Sequence, residues 1–320
     1  MDTRRGVRGL GRSLPRTTLI WVAAVVVVLV VVDVVLVSLA LGRTAPEQNG
    51  PAGPIPTYSS TPRSPSSATP GASGTPTAPA EAGAADGASA RHLLSAINGK
   101  EAWRASSGSC PAGQPVLEHS VDGGATWVAV ALADDVRAVT ALRATTEQLS
   151  VLAMVGDDCS PSVRTSVDAG ATWSAGQPGA AGAGIRDASI VLSTGQVESP
   201  CAEPVDAYQG QYTTLVACGR QVSWRSGTGA WVEVPLPGIR AIADAGDTYT
   251  LARLGSSTCD GVQIVRLPAA RVTAGSQVSP IGCWQDGGSE GPVAIDLAGS
   301  TLWAWAGDRV AVSVDGGKTW

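Results

Sequence analysis

The sequence holds no phenylalanine, two histidines and two methionines in 320 residues, and each shortage excludes something. With His92 and His119 as the only imidazoles, and no Cys-x-x-Cys pair, zinc lacks a donor set; no metal and no cofactor are expected. A Ser-His-Asp signature is missing, as is a glycine-rich phosphate loop, and the run from Gly179 to Gly184 reads as a loop. Basic charge is scarce where it would matter. The formal net charge is −5, yet Arg4, Arg5, Arg8, Arg12 and Arg16 all precede the first apolar run. Beyond Leu41, 17 basic residues face 25 acidic ones, so a partner that demands clustered Lys and Arg, such as nucleic acid, is not expected.

What is abundant is glycine, at 39 residues, with ten tryptophans and few segments of helical period. That combination describes many short strands joined by turns, an all-β class. The first quarter of the chain is different. Leu19 to Leu41 is a Val-rich apolar run interrupted only by Asp33 and Ser38, and roughly 20 such residues cross a bilayer as a helix. A cleaved signal has an apolar core of only about 7–15 residues, so an uncleaved anchor is expected. The arginine excess before the run outweighs Arg43 after it, which places the N-terminus in the cytoplasm. Asp33 within the run reads as a tolerated charge or a helix–helix contact. From Arg43 to about Ala90 the chain is rich in Pro, Ser, Thr, Ala and Gly without apolar periodicity, the composition of a disordered tether. The expected organisation is a basic cytoplasmic tail (1–16), a transmembrane helix (17–42), a linker (43–90) and a β domain (91–320).

The β domain is organised by one stretch. Ser120-Val121-Asp122-Gly123-Gly124-Ala125-Thr126-Trp127 returns nearly unchanged as Ser166 to Trp173 and as Ser313 to Trp320. Each copy reads as strand, tight turn, strand: Asp accepts from turn N–H groups, Gly supplies positive φ, and Thr-Trp begins a new strand. Asp122 and Asp168 are 46 residues apart, and Trp224 to Trp231 is a degenerate relative with Ser226 in the place of Asp. A further repeat with an eroded turn must lie before Asp315. Openings at His92 to Ile97, Val136 to Val139, Ile185 to Ala188, Ile239 to Ile242 and Pro292 to Ile295 make five repeats of four strands, with Gln148 to Val155 and Thr301 to Ala306 as second strands. That spacing is a β-propeller's: a unit of 40–50 residues cannot bury both of its faces until it is stacked around an axis. In Trp303-Ala304-Trp305-Ala306, large side chains should meet one neighbouring blade and small ones the other, with sugar stacking on the Trp pair as the functional alternative. The last blade is short of an outer strand.

The three copies match Ser-x-Asp-x-Gly-x-Thr-Trp at every specified position, and in this the chain resembles the Asp-box (BNR-repeat) propellers, which include the sialidases. The resemblance implies a propeller of about five four-stranded blades whose boxes (Ser120, Asp122, Gly124, Thr126, Trp127; Ser166, Asp168, Gly170, Thr172, Trp173; Ser313, Asp315, Gly317, Thr319, Trp320) are structural and lie away from any catalytic centre. Sialidase chemistry would require an arginine triad, a Tyr nucleophile with its Glu, an Asp acid/base and an early Arg-Ile-Pro element. In the repeats Arg-x-Pro occurs as Val265-Arg266-Leu267-Pro268, late in the chain, and Tyr208, Tyr212 and Tyr249 sit in no matching context. Glu118, Glu198, Glu203, Asp206 and Glu233 could supply the carboxylate pair of other glycosidases, but read as surface charge. No catalytic residue is therefore assigned.

Six cysteines lie beyond the anchor and suit three disulfides in an oxidising compartment: Cys110 with Cys159 from equivalent loops of adjacent repeats, then Cys201 with Cys218 and Cys259 with Cys283. The function expected is a membrane-anchored, extracytoplasmic binding or assembly scaffold, similar in kind to non-enzymatic propellers that resemble photosystem assembly factors. Its partner would be an envelope protein or glycan; the alternatives are an exo-sialidase-type hydrolase and a cell-wall carbohydrate-binding module.

Overall fold

A computed structural model describes residues 91–320, and every strand pair in it is antiparallel. The tail (1–16), the transmembrane stretch (17–42) and the linker (43–90) lie outside the described residues. Among those residues no helix is long and apolar enough to cross a membrane.

The strands form six separate sheets, four with four strands and two with three. Blade 1 holds β1 (His92–Ala96), β2 (Ala102–Ser106), β3 (Val116–Ser120) and β4 (Val128–Val130). Blade 2 holds β5 (Val136–Ala144), β6 (Leu149–Val155), β7 (Ser160–Ser166) and β8 (Ser174–Ala175). Blade 3 is short, with β9 (Gly184–Arg186), β10 (Ser189–Leu192) and β11 (Gly195–Glu198). Blade 4 holds β12 (Pro204–Gln209), β13 (Thr213–Cys218), β14 (Val222–Ser226) and β15 (Val232–Val234). Blade 5 holds β16 (Ile239–Asp244), β17 (Thr248–Arg253), β18 (Val262–Pro268) and β19 (Ser279–Trp284). Blade 6 ends the set with β20 (Val293–Ala298), β21 (Thr301–Ala306) and β22 (Arg309–Ser313).

The first strand of each sheet packs against the first strand of the next, and β20 packs against β1, so the ring closes. The expected five repeats are thus corrected to six blades, of which blades 3 and 6 have three strands rather than four. The extra blade hides in what reads as one long third repeat. Ile185 lies in β9, but the degenerate turn after Trp224 belongs to blade 4, and β9 to β11 occupy only 184–198. So short a unit has tight turns at Asp187 and Gly195, both with positive φ, and no box to announce it.

The core consists of six apolar layers, one at each junction between neighbouring blades. This is why the strands alternate as they do. Along β21, Leu302, Ala304 and Ala306 face blade 5, where they meet Ile264 and Trp284. Trp303 and Trp305 face blade 1, against Leu94 and Ala102. Trp303 is 0% exposed and its Nε1 donates to Asn98 O at 2.8 Å; it seals the ring and has no face to offer a sugar. Blades 2 and 3 share the thinnest layer, in which Ala141, Leu152 and Ala181 are the buried members.

Because the strands meander, the turns alternate between two ends of the ring. The first and third turns of each blade lie at one end and the second turns and inter-blade connections at the other. The three Ser-x-Asp-x-Gly-x-Thr-Trp segments share the first end. In the first, Thr126 Oγ1 donates to Asp122 Oδ2 at 2.6 Å, Thr126 N and Ser120 Oγ donate to Oδ1 at 2.9 Å, and Gly124 N donates to Ser120 Oγ at 3.0 Å. The pattern repeats at Asp168 with Thr172, Ser166 and Gly170, and at Asp315 with Thr319, Ser313 and Gly317.

The glycine two residues after each Asp has a second duty. Its φ is +84, +88 and +93° at Gly124, Gly170 and Gly317, a range that disfavours any side chain. A Cβ at Gly124 would lie 3.1 Å from Trp303 and Val310 of blade 6, and one at Gly170 would collide with Val130 of blade 1. The turn therefore wedges against the preceding blade. The tryptophans follow it there: Trp127 meets Trp303 edge to face at 6.3 Å, and Trp320 stacks on Trp284 at 5.4 Å.

Candidate functional site

Inner strands β1, β5, β12, β16 and β20, with residues 181–183 just ahead of β9, line an axial channel of about 360 Å³. Most of its wall is small or apolar, with Leu94, Ala96, Ala141, Ala183, Ala207, Ile242, Ala243 and Ala294 among the lining residues. Against that background the polar groups stand out, and three of them have the same task. Asp296 on β20 accepts Ala96 N of β1 at 2.7 Å, Ser95 on β1 accepts Ala144 N of β5 at 2.9 Å, and Asp206 on β12 accepts Ile242 N of β16 at 2.8 Å. In each case a side chain from one inner strand captures an N–H of the next. Such groups sew blade 6 to 1, 1 to 2 and 4 to 5.

Burial raises both channel carboxyls to about 6, against the opposing pull of the N–H donors and of Arg91 on Asp206 or Arg143 on Asp296. Arg91 is itself held below its usual range by burial, with Asp206 pulling the other way, and its Nη2 donates to Thr140 O at 3.0 Å. Tyr208 also lines the channel. Its hydroxyl donates to Asp244 Oδ2 at 2.5 Å, and burial, then that bond, pushes the phenol well above its ordinary value. A phenol so held keeps its proton at neutral pH, the reverse of an activated nucleophile. Among the described residues that line the channel, Arg143 is the one arginine and no glutamate occurs.

The structure scatters the remaining candidates. Glu118 on β3 pairs with Arg104 at 2.7 Å, while Glu198, Glu203 and Glu233 are exposed on blades 3 and 4. Arg266 is an exposed residue of β18, away from the channel. The six cysteines are joined as Cys110–Cys159, Cys201–Cys218 and Cys259–Cys283. Among the described residues no cluster of three His, Cys, Asp or Glu side chains could hold a metal ion. His92 stacks on Trp305, with centroids 3.5 Å apart, and burial lowers it to about 4. His119 stacks on Trp103 and meets Glu101 at 3.1 Å. Sequence reasoning missed Asp296, Asp244 and Arg143; the available signal was a charged residue in the second half of an otherwise largely small and apolar inner strand.

Fold and channel together define a closed six-bladed β-propeller whose axial Asp206 and Asp296 are bonded to the main chain of the neighbouring blade. No protein-family model matches the sequence, and no curated protein does. Among solved structures, the chain is similar to the GH74 enzyme of Niastella koreensis (12% identity, TM-score 0.40, covering 70% of this chain and 45% of that one). YCF48 bound to D1 peptide (16% identity, TM-score 0.39, covering 72% and 80%) and GH43B of the xyloglucan PUL of Bacteroides ovatus (14%, 0.38, covering 68% and 47%) are also similar. The chain thus spans less than half the length of two of these three proteins.

Proposed function

We propose that this chain is a non-catalytic binding and assembly scaffold, with the propeller presented outside the cell on a single-pass anchor. One observation carries the first half of that reading: the acids on the axis are engaged by the main chain of the neighbouring blade. A general acid or nucleophile must be free to meet substrate, whereas Asp206 and Asp296 are structural clasps and Tyr208 is clamped to Asp244. The Asp-box resemblance supports the same reading, since the box turns here wedge blades together.

Exposed valines suggest where a protein partner docks. Val314, Val121 and Val167 occupy the same position in the three box turns, on consecutive blades 6, 1 and 2, and are 74, 64 and 78% exposed. Photo-crosslinkers placed at these three positions in cells should trap a common partner that a crosslinker at Glu198 does not. The purified full-length protein should leave a fluorogenic sialoside and a panel of aryl glycosides intact between pH 4 and 8. Turnover that disappears in Tyr208→Phe or Asp244→Asn would replace the scaffold by a hydrolase.

The anchor and the outward orientation rest on the run Leu19 to Leu41, on the arginines before it, and on the preference of disulfides for oxidising compartments. Protease applied to intact cells should remove the cysteine-containing module and spare the arginine-rich tail. Release of the module into the medium with a new N-terminus near Gly42 would contradict the anchor.

A further inference from the structure

A second concavity opens at the box-turn end between blades 4 and 5. It encloses about 550 Å³, within the ~300–1,000 Å³ usual for small-molecule sites. Tyr208, Tyr212, Tyr249 and Trp224 all line it, so the three tyrosines of the propeller, two from blade 4 and one from blade 5, converge on one place. Tyr249 forms the floor at 1% exposure, braced edge to face by Tyr208 at 5.7 Å and by a 2.6 Å hydrogen bond between its hydroxyl and Thr213 Oγ1. Tyr208 and Trp224 are half-buried walls, and Tyr212 stands free at the rim, 71% exposed. The Trp224 indole N–H is buried; it turns toward the Tyr249 hydroxyl without reaching hydrogen-bonding geometry and has no partner. Around the aromatic rings stand Asp244, Asp247, Gln211 and Arg271.

From this arrangement we infer that the cleft binds a neutral saccharide, with Tyr212 and Trp224 as ring platforms and Asp244, Asp247 and Arg271 as hydroxyl partners. Three features select that chemistry. Rigid aromatic surfaces match the apolar face of a pyranose at little conformational cost. Carboxylates that accept, beside a guanidinium that donates, suit hydroxyl groups, which do both. Charge removes one neighbour of this ligand class: two carboxylates against one guanidinium leave the lining net negative, which repels a sialoside or uronate. No covalent step is implied. The inference is independent of the scaffold reading, because the row of valines lies on blades 6, 1 and 2 and the cleft on blades 4 and 5.

The test is direct. Full-length protein in detergent is titrated with cellohexaose, mannohexaose and xyloglucan heptasaccharide, with sialyllactose and a lysine-rich peptide as charged controls. Tryptophan fluorescence and calorimetry report binding. At least one neutral oligosaccharide should bind, with affinity falling tenfold or more in Tyr212→Ala and severalfold in Asp247→Asn, both exposed sites whose substitution leaves the melting temperature unchanged. Silence from all three neutral sugars would overturn the inference, as would a preference for either charged probe or equal affinity in Tyr212→Ala. Loss of the photo-crosslinked partner in the same variants would move protein binding to this cleft and likewise refute it.

Discussion

Replacing the channel carboxyls should change the sign of the protein's pH dependence. Asp206 and Asp296 are raised from 3.8 to about 6 in the folded state. A raised acid binds its proton more tightly when folded, so its contribution is fully present below pH 4 and is lost as pH rises through 6. At 1.36 kcal/mol per unit, each should cost about 3 kcal/mol between pH 4 and 7. His92 acts in the opposite sense. Lowered from 6.5 to about 4, it contributes stability that is present above 6.5 and lost as pH falls toward 4, again about 3 kcal/mol. The wild type should therefore lose roughly 3 kcal/mol from pH 4 to 7. Asp206→Asn should be nearly flat across that window, and the double variant with Asp296→Asn should gain about 3 kcal/mol instead. Asparagine keeps an oxygen to accept Ile242 N or Ala96 N, so the clasps survive while the buried charge does not. Asp206→Ala also removes the titration but orphans Ile242 N, and should be about 1–3 kcal/mol less stable than Asp206→Asn at every pH. Urea unfolding followed by tryptophan fluorescence at half-unit pH steps measures all four proteins. Identical pH slopes in wild type and double variant would refute the assignment of these acids as buried, charge-penalised clasps.

Trp303→Ala should cost about 3–5 kcal/mol by denaturant midpoint, because it empties the junction between blades 6 and 1 and releases Asn98 O. Asp122 and Asp168 are held at about 2, chiefly by the Thr126 and Thr172 hydroxyls, so their stabilisation is present above pH 4 and lost as pH falls toward 2. Acid titration monitored by circular dichroism should show unfolding at higher pH in Asp122→Ala. Gly170→Ala should lower the melting temperature more than Gly123→Ala, since only the former drives a methyl into Val130. Opening the Cys110–Cys159 bond, whose partners are 49 residues apart, should cost about 4 kcal/mol on the loop-entropy model, read as a lower midpoint in Cys110→Ser with Cys159→Ser.

Local patterns in the sequence announced much of this architecture. Ser-x-Asp-x-Gly-x-Thr-Trp is self-contained: every bond that shapes the turn lies within seven residues, so three copies mark three blades directly. The cysteine pairs were legible because they sit in comparable loops. Blade 3 was not, since a 15-residue meander carries neither box nor tryptophan; only the stretched interval of 58 residues from Asp168 to Ser226, against 46 before it, betrays it. The channel acids and the tyrosine cleft were hidden for a different reason. Asp206 meets Ile242, Asp296 meets Ala96 and Tyr208 meets Tyr249 only when neighbouring blades pack, and nothing in the sequence around each one records that partner.

All three disulfides lie at the end of the ring opposite the box turns, at second turns and inter-blade connections. On that rim Cys110–Cys159 ties blade 1 to blade 2, Cys201–Cys218 ties the connection between blades 3 and 4 to β13, and Cys259–Cys283 closes on blade 5 itself, while the rim that carries the cleft is laced only by hydrogen bonds and packing. Since no disulfide crosses the junction of blades 4 and 5, thermal breathing should part and close the cleft there without straining a single cross-link.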